Sequence, residues 1–202
     1  MNFLNPDELS DRFTTMDRRR EVLINALRDN DERIRHLAAE ALEKLEIRDR
    51  LDFLIERAGN GQMLDKIRAV YALSELKGPR IIESLGKAAK DPSEDVRAAA
   101  ARALGSAGDP TALAHLVGLL KDRSTTVVRA AVDALGNFRD TRILGYLMQA
   151  LKSPDQGVVE RAIEAVCKYG DKRSEEAMLY FAIKGNSKMR SLAIKALAVM
   201  DR

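Results

Sequence analysis

The sequence predicts an all-α fold, a right-handed α-solenoid (superhelix) of about six two-helix repeats with a 31-residue period. Three observations carry this expectation. The pair Ala103-Leu104 recurs as Ala41-Leu42, Ala72-Leu73, Ala134-Leu135, Ala165-Val166 and Ala196-Leu197, always 31 residues apart and without insertion or deletion. A second alanine column stands three positions earlier, at Ala38, Ala69, Ala100, Ala131, Ala162 and Ala193. The composition, rich in Ala, Leu, Glu, Lys and Arg with only 4% aromatic residues, favours helix. A fixed period of this length marks stacked units, none of which can bury its apolar side alone.

Taken in order, residues 1–16 read as an N-terminal capping segment and 17–202 as one repeat array. Asn5 is placed to N-cap a short helix, with Pro6 at its first position and Asp7, Glu8 and Asp11 in its first turns. Within a repeat, Ile34, Ala38, Ala41, Leu42 and Leu45 fall at i, i+4, i+7, i+8 and i+11, one face of an amphipathic helix B. A shorter helix A has its face at Leu51, Leu54, Ile55 and Ala58, again at Ile82, Leu85, Gly86 and Ala89, and again at Leu144, Leu147, Met148 and Leu151. Stops fall at 77–79, 90–93, 108–110 and 152–155, and Asp109, Asp140 and Asp171 are placed to N-cap the following A helices. Helix B of the third unit should run over about 93–106. Only small side chains in the alanine columns let successive B helices approach closely, which puts them on the inner, concave side. At the far end, Leu192, Val199 and Met200 should stand near a bare face through which two chains could pair as a homodimer.

The stretch 91–109, "DPSEDVRAAAARALGSAGD", resembles the HEAT-like repeats of the phycobilisome-lyase type, whose unit reads roughly D-x-x-x-V-R-x-x-A-x-x-A-L-G-x-x-G-D. The resemblance covers about residues 17–202; its motifs are specific for the fold and weak for activity. It implies an Asp/Arg ladder between repeats, kept here as Asp29/Arg35, Asn60/Lys66 and Asp91/Arg97. Val128 and Val159 stand where the arginine should be in the next two copies, so the ladder is expected to stop mid-chain. Some relatives of this fold are enzymes. The deoxyhypusine hydroxylases carry His-Glu pairs for iron, whereas this chain has no His-Glu dipeptide. The HEAT-like DNA glycosylases use tryptophan, and this chain has none.

The residues themselves offer no catalytic or metal constellation and no cofactor fingerprint. The two histidines, His36 and His115, read as surface or boundary residues of their helices. Cys167 stands in the column of Gly105 and Gly136, so it reads as a small packing residue. With 34 basic against 31 acidic side chains, the net charge of +3 lacks the lopsidedness of a polyanion binder. One cysteine and no apolar signal core suggest a cytoplasmic protein, and no run approaches a membrane span.

What remains is the exposed face of helix B. Periodicity assigns to it Arg68, Tyr71 and Glu75, then Arg102, Arg129 and Asp133, then Arg161 and Glu164. Ala98, Ala99 and Ala130 should form a shallow floor, flanked by Tyr71, Arg102 and Arg129. Tyr and Arg are enriched in interface hot spots. The expected function is therefore a non-enzymatic scaffold or adaptor binding a protein or peptide on this face. The alternatives are nucleic-acid binding through its arginines, or an accessory subunit of a lyase-like enzyme.

Overall fold

Every segment that the 31-residue pattern marks as apolar on one side forms a helix. The computed structural model describes residues 15–138 and 140–200, with side chains from 18 onward. The expected cap at Asn5, with Pro6, Asp7, Glu8 and Asp11, lies outside them. Among the described residues there are eleven α-helices and no strand. The chain divides into two compact units, one up to Phe53 and one from Leu54 onward.

The first unit holds α1 (Thr15–Ala26), helix A of repeat one, and the beginning of α2 (Glu32–Asn60). Ala38 and Leu45 are buried, whereas Ile34, assigned to the same apolar face, is 41% exposed. Arg20 and Asp49 form a 2.8 Å ion pair across the hairpin. The helix α2 corrects one expectation: no turn separates helix B of repeat one from helix A of repeat two. The join, Glu46-Ile47-Arg48-Asp49-Arg50, contains neither Gly nor Pro, so nothing interrupts the i→i−4 hydrogen bonds.

The second unit contains the end of α2 and then alternates B and A helices. The B helices are α3 (Met63–Ser74), α5 (Glu94–Ala107), α7 (Thr125–Leu135), α9 (Gln156–Tyr169) and α11 (Ser187–Leu197). Between them stand the A helices α4 (Pro79–Ala88), α6 (Leu113–Leu119), α8 (Leu144–Ala150) and α10 (Glu175–Lys184). The observed α5 matches the expected 93–106 to one residue at each end. From α3 to α11 each B helix packs on the next, while the A helices α4, α6, α8 and α10 pack chiefly against B helices.

The B–B seam is the alanine seam. Ala69, Ala100, Ala131, Ala162 and Ala193 are all at most 3% exposed. The approach is so close that a Cβ on Gly105 would lie 2.6 Å from Ala134 Cβ, and one on Gly136 3.0 Å from Ala165 Cβ. Burying so little volume per position costs hydrophobic gain, and the return is a backbone separation that larger side chains forbid.

The stops work as their residues dictate. Gly108 ends α5 in the left-handed region at φ 63°, where a side chain would be strained. Asp109 then accepts from Thr111 N, Asp140 from Arg142 N and Asp171 from Arg173 N, as the sequence pattern requires. Each caps a single 3₁₀ turn that leads into the α-helix: Pro110–Ala112, Thr141–Ile143 and Lys172–Ser174. The Arg173 guanidinium and the Arg173 backbone N–H together hold the Asp171 carboxyl down at about 2.

The C-terminal helices correct part of another expectation. Met200 is buried, at 5% exposure, and Leu192 is half-buried, so of the three end residues only Val199 is exposed. Ile194 is bare there as well: within the second unit its column is fully buried as Val70, Ala101, Val132 and Ile163, but it is 57% exposed itself.

Candidate functional site

Residues 31 apart share a column, so successive B helices place them side by side. On this face Arg102 Nε donates to the Tyr71 hydroxyl at 3.1 Å, one repeat meeting the next. Both side chains remain exposed. Arg161 pairs with Asp133 in the same manner two helices further on. Burial pushes the Asp133 carboxyl above its ordinary range, opposed by Arg161 and reinforced by Glu164 one repeat away. Arg68, Glu75 and Glu164 are exposed along the same B helices. The face is thus a row of cross-linked polar side chains of alternating sign.

Two expectations about this face change. Ala98, Ala99 and Ala130 are at most 5% exposed, so they form no open floor; the neighbouring helices cover them. The working surface consists of the long side chains themselves. Arg129 does not flank such a floor either. Its guanidinium is committed to Asp155, with Nε at 2.9 Å and the second nitrogen at 2.7 Å from the two carboxylate oxygens.

That commitment reveals the ladder, which does not stop mid-chain. Lys66 meets Asp91 at 2.6 Å, and Arg97 meets Asp122 through two hydrogen bonds of 2.7 and 2.9 Å. Arg97 also donates to the carbonyls of Asp91 and Pro92, so its buried guanidinium is well satisfied. Where Val128 removes the arginine, Arg129 supplies it from the next position. The carboxylate moves too. Asp91-Pro92-Ser93 and Asp122-Arg123-Ser124 become Ser153-Pro154-Asp155, with the same turn held by Asp155 N donating to Ser153 Oγ. One repeat later the signs reverse: Glu160 takes Lys188 at 2.7 Å and Asn186 at 3.3 Å. The sequence holds this signal in the exchange of Asp and Ser around residue 154.

His115 lies against Gly86, where a Cβ would come within 2.5 Å of the ring, so the histidine fills the space the glycine leaves. His36 is exposed on α2. Burial raises the Cys167 thiol above its ordinary value despite Lys195 nearby, which suits a packing residue more than a nucleophile. Among the described residues no group of three or more His, Cys, Asp or Glu is placed to hold a metal ion. No described helix is long and apolar enough to cross a membrane.

Comparison with known proteins agrees with this geometry. The family described as HEAT repeats matches residues 64–136 and 121–198. The chain belongs to that family. No curated protein matches the sequence significantly. Among solved structures it is similar to human deoxyhypusine hydroxylase in complex with glycerol, at 21% identity and a TM-score of 0.60 over 79% of this chain and 66% of that one. It is also similar to a designed armadillo repeat protein in complex with the peptide (KR)4, at 19% identity and a TM-score of 0.57 over 93% of this chain and 100% of that one. A third is the complex of CpcE and CpcF of phycocyanin lyase from Nostoc sp. PCC7120, at 21% identity and a TM-score of 0.52 over 100% and 82%. At these identities the likeness concerns the fold.

Proposed function

We propose that this chain is a non-enzymatic protein-interaction scaffold that takes a protein or peptide segment along the exposed face of its B helices. The observation that supports it most is the Tyr71–Arg102 pair, two exposed side chains of the types favoured at hot spots, held together across repeats. Asp133, Arg161 and Glu164 extend the same row with opposite charges. A surface of alternating sign suits the mixed charges of a protein better than a phosphate backbone, which rewards one sign only. A designed armadillo repeat protein of similar fold, seen in complex with the peptide (KR)4, supports a peptide partner.

The test is affinity capture from the native cell extract by wild type and by a Tyr71→Ala, Arg102→Ala variant, followed by binding of the captured protein's peptides. The expected outcome is a partner retained by wild type and lost by the variant. Tight binding of single- or double-stranded nucleic acid at about 150 mM salt, with no peptide bound, would replace this reading with nucleic-acid recognition.

A further inference from the structure

Two grooves on the A-helix side of the second unit are copies of one another, 31 residues apart. The first lies between α4 and α6 and includes Lys90, Arg97, His115, Lys121 and Asp122; the second lies between α6 and α8. In the second, Lys121, Val128, Tyr146, Lys152 and Ser153 take the corresponding places. The Arg97–Asp122 ion pair that occupies the wall of the first groove is therefore replaced by valine and serine, because the ladder has moved to Arg129 and Asp155. The relocation leaves a cleft of about 530 Å³ that contains no carboxylate. Its apolar wall is Val117, Leu120, Val128, Tyr146, Ala150 and Val158. Lys121 and Lys152 are exposed at its edge and enter no ion pair among the described residues.

We propose that this cleft is a second docking site, for an acidic peptide segment bearing an apolar anchor. The anchor enters between Val128 and Tyr146, and flanking carboxylates meet Lys121 and Lys152. The volume is within the range of cavities that enclose a large side chain or a small ligand. The charge argument selects the occupant. In the α4–α6 groove the lysines share the lining with Asp91 and Asp122, whereas here two cations face an apolar wall with no opposing acid. A basic segment meets only repulsion, and an uncharged one leaves the lysines unused. This site lies on a different set of residues from the B-helix face, so either can fail alone.

The probe is a fluorescein-labelled hexapeptide, EELFEE, followed by fluorescence anisotropy on the full chain, with KKLFKK and EESSEE as controls. Wild type should bind EELFEE at least about tenfold more tightly than either control. Lys121→Glu with Lys152→Glu should weaken that binding by about tenfold or more; both are surface positions that leave the fold intact. Val128→Arg with Ser153→Asp rebuilds in this cleft the pair found in its neighbour, and should abolish binding with the helical circular dichroism unchanged. If that variant does not fold, the lysine pair decides. The Tyr71→Ala, Arg102→Ala variant should bind EELFEE as wild type does. Absence of binding, equal binding of the three peptides, indifference to the lysine reversals, or loss in the Tyr71/Arg102 variant would each overturn the proposal.

Discussion

The third and fourth repeats solve one problem in two ways. In the third, Arg97 reaches Asp122 with both side chains about nine-tenths buried, at 7% and 10% exposure. In the fourth, Arg129 reaches Asp155 with 40% and 21% exposed. The two ties have nearly the same length and opposite surroundings. The first is a structural element that cannot lose one member, because the other would be left charged and dry. The second is a surface bond that water can replace. Moving the tie outward by one residue thus changed the groove behind it and its energetic weight together.

The sharpest way to break this comparison is to remove each arginine. Arg97→Ala should cost about 3–5 kcal/mol by stranding Asp122, whereas Arg129→Ala should cost far less. Urea denaturation followed at 222 nm gives both numbers, and equal losses would mean the two ties are equivalent. Next in size, Ala100→Leu and Ala131→Leu should each cost about 1–3 kcal/mol, since overpacking a close seam forces helices apart. Here the two repeats should agree, because the seam is the same in both. Tyr71→Ala, on the exposed face, should stay within about 0.5 kcal/mol in the same experiment.

The smallest effect concerns acid. The Arg97 guanidinium holds Asp122 below the usual carboxylate range, and Arg129 does the same for Asp155. A carboxyl whose folded pKa is depressed stabilises the fold above its unfolded value of about 3.9. That contribution is lost as pH falls through the folded value. Asp122→Asn should therefore flatten the acid limb of the stability curve more than Asp155→Asn does. Carboxyl chemical shifts followed by NMR should meanwhile find Asp171 titrating at about 2. An unshifted Asp122 would sink the argument from the Arg97 tie.

The fold was legible because its signal is repeated. Six alanine pairs at constant spacing leave little room for another architecture, and the GDP-type stops name their own caps. What escaped was whatever depends on an absence or a shift. The continuous α2 follows from a missing Gly or Pro at 46–50, which a search for stops passes over. The ladder escaped because it was sought in one column. The guanidinium had moved one residue and the carboxylate two, and a helix turns a one-residue shift into a new direction rather than a lost contact. The alanine floor failed for a different reason. Periodicity gives the direction of a side chain, but how closely the next helix approaches is decided by every small residue along the seam. The C-terminal residues failed similarly: Met200 folds back into the core, and Ile194, whose column is apolar, is left uncovered beside Val199.

The cross-repeat ties described above join residues 25 to 31 apart, from Arg97–Asp122 to Tyr71–Arg102. Each contact therefore closes a chain loop of about one repeat, however many repeats have already formed. The entropy of closing a loop grows only with the logarithm of its length, and here that length never accumulates. Relative contact order stays low, which places such a chain among rapid folders for its size. Growth can begin at any well-packed pair of hairpins and extend in both directions. The third and fourth repeats, with Ala100 and Ala131 fully buried in the seam and the buried Arg97 tie beside them, are where that nucleus has most to gain.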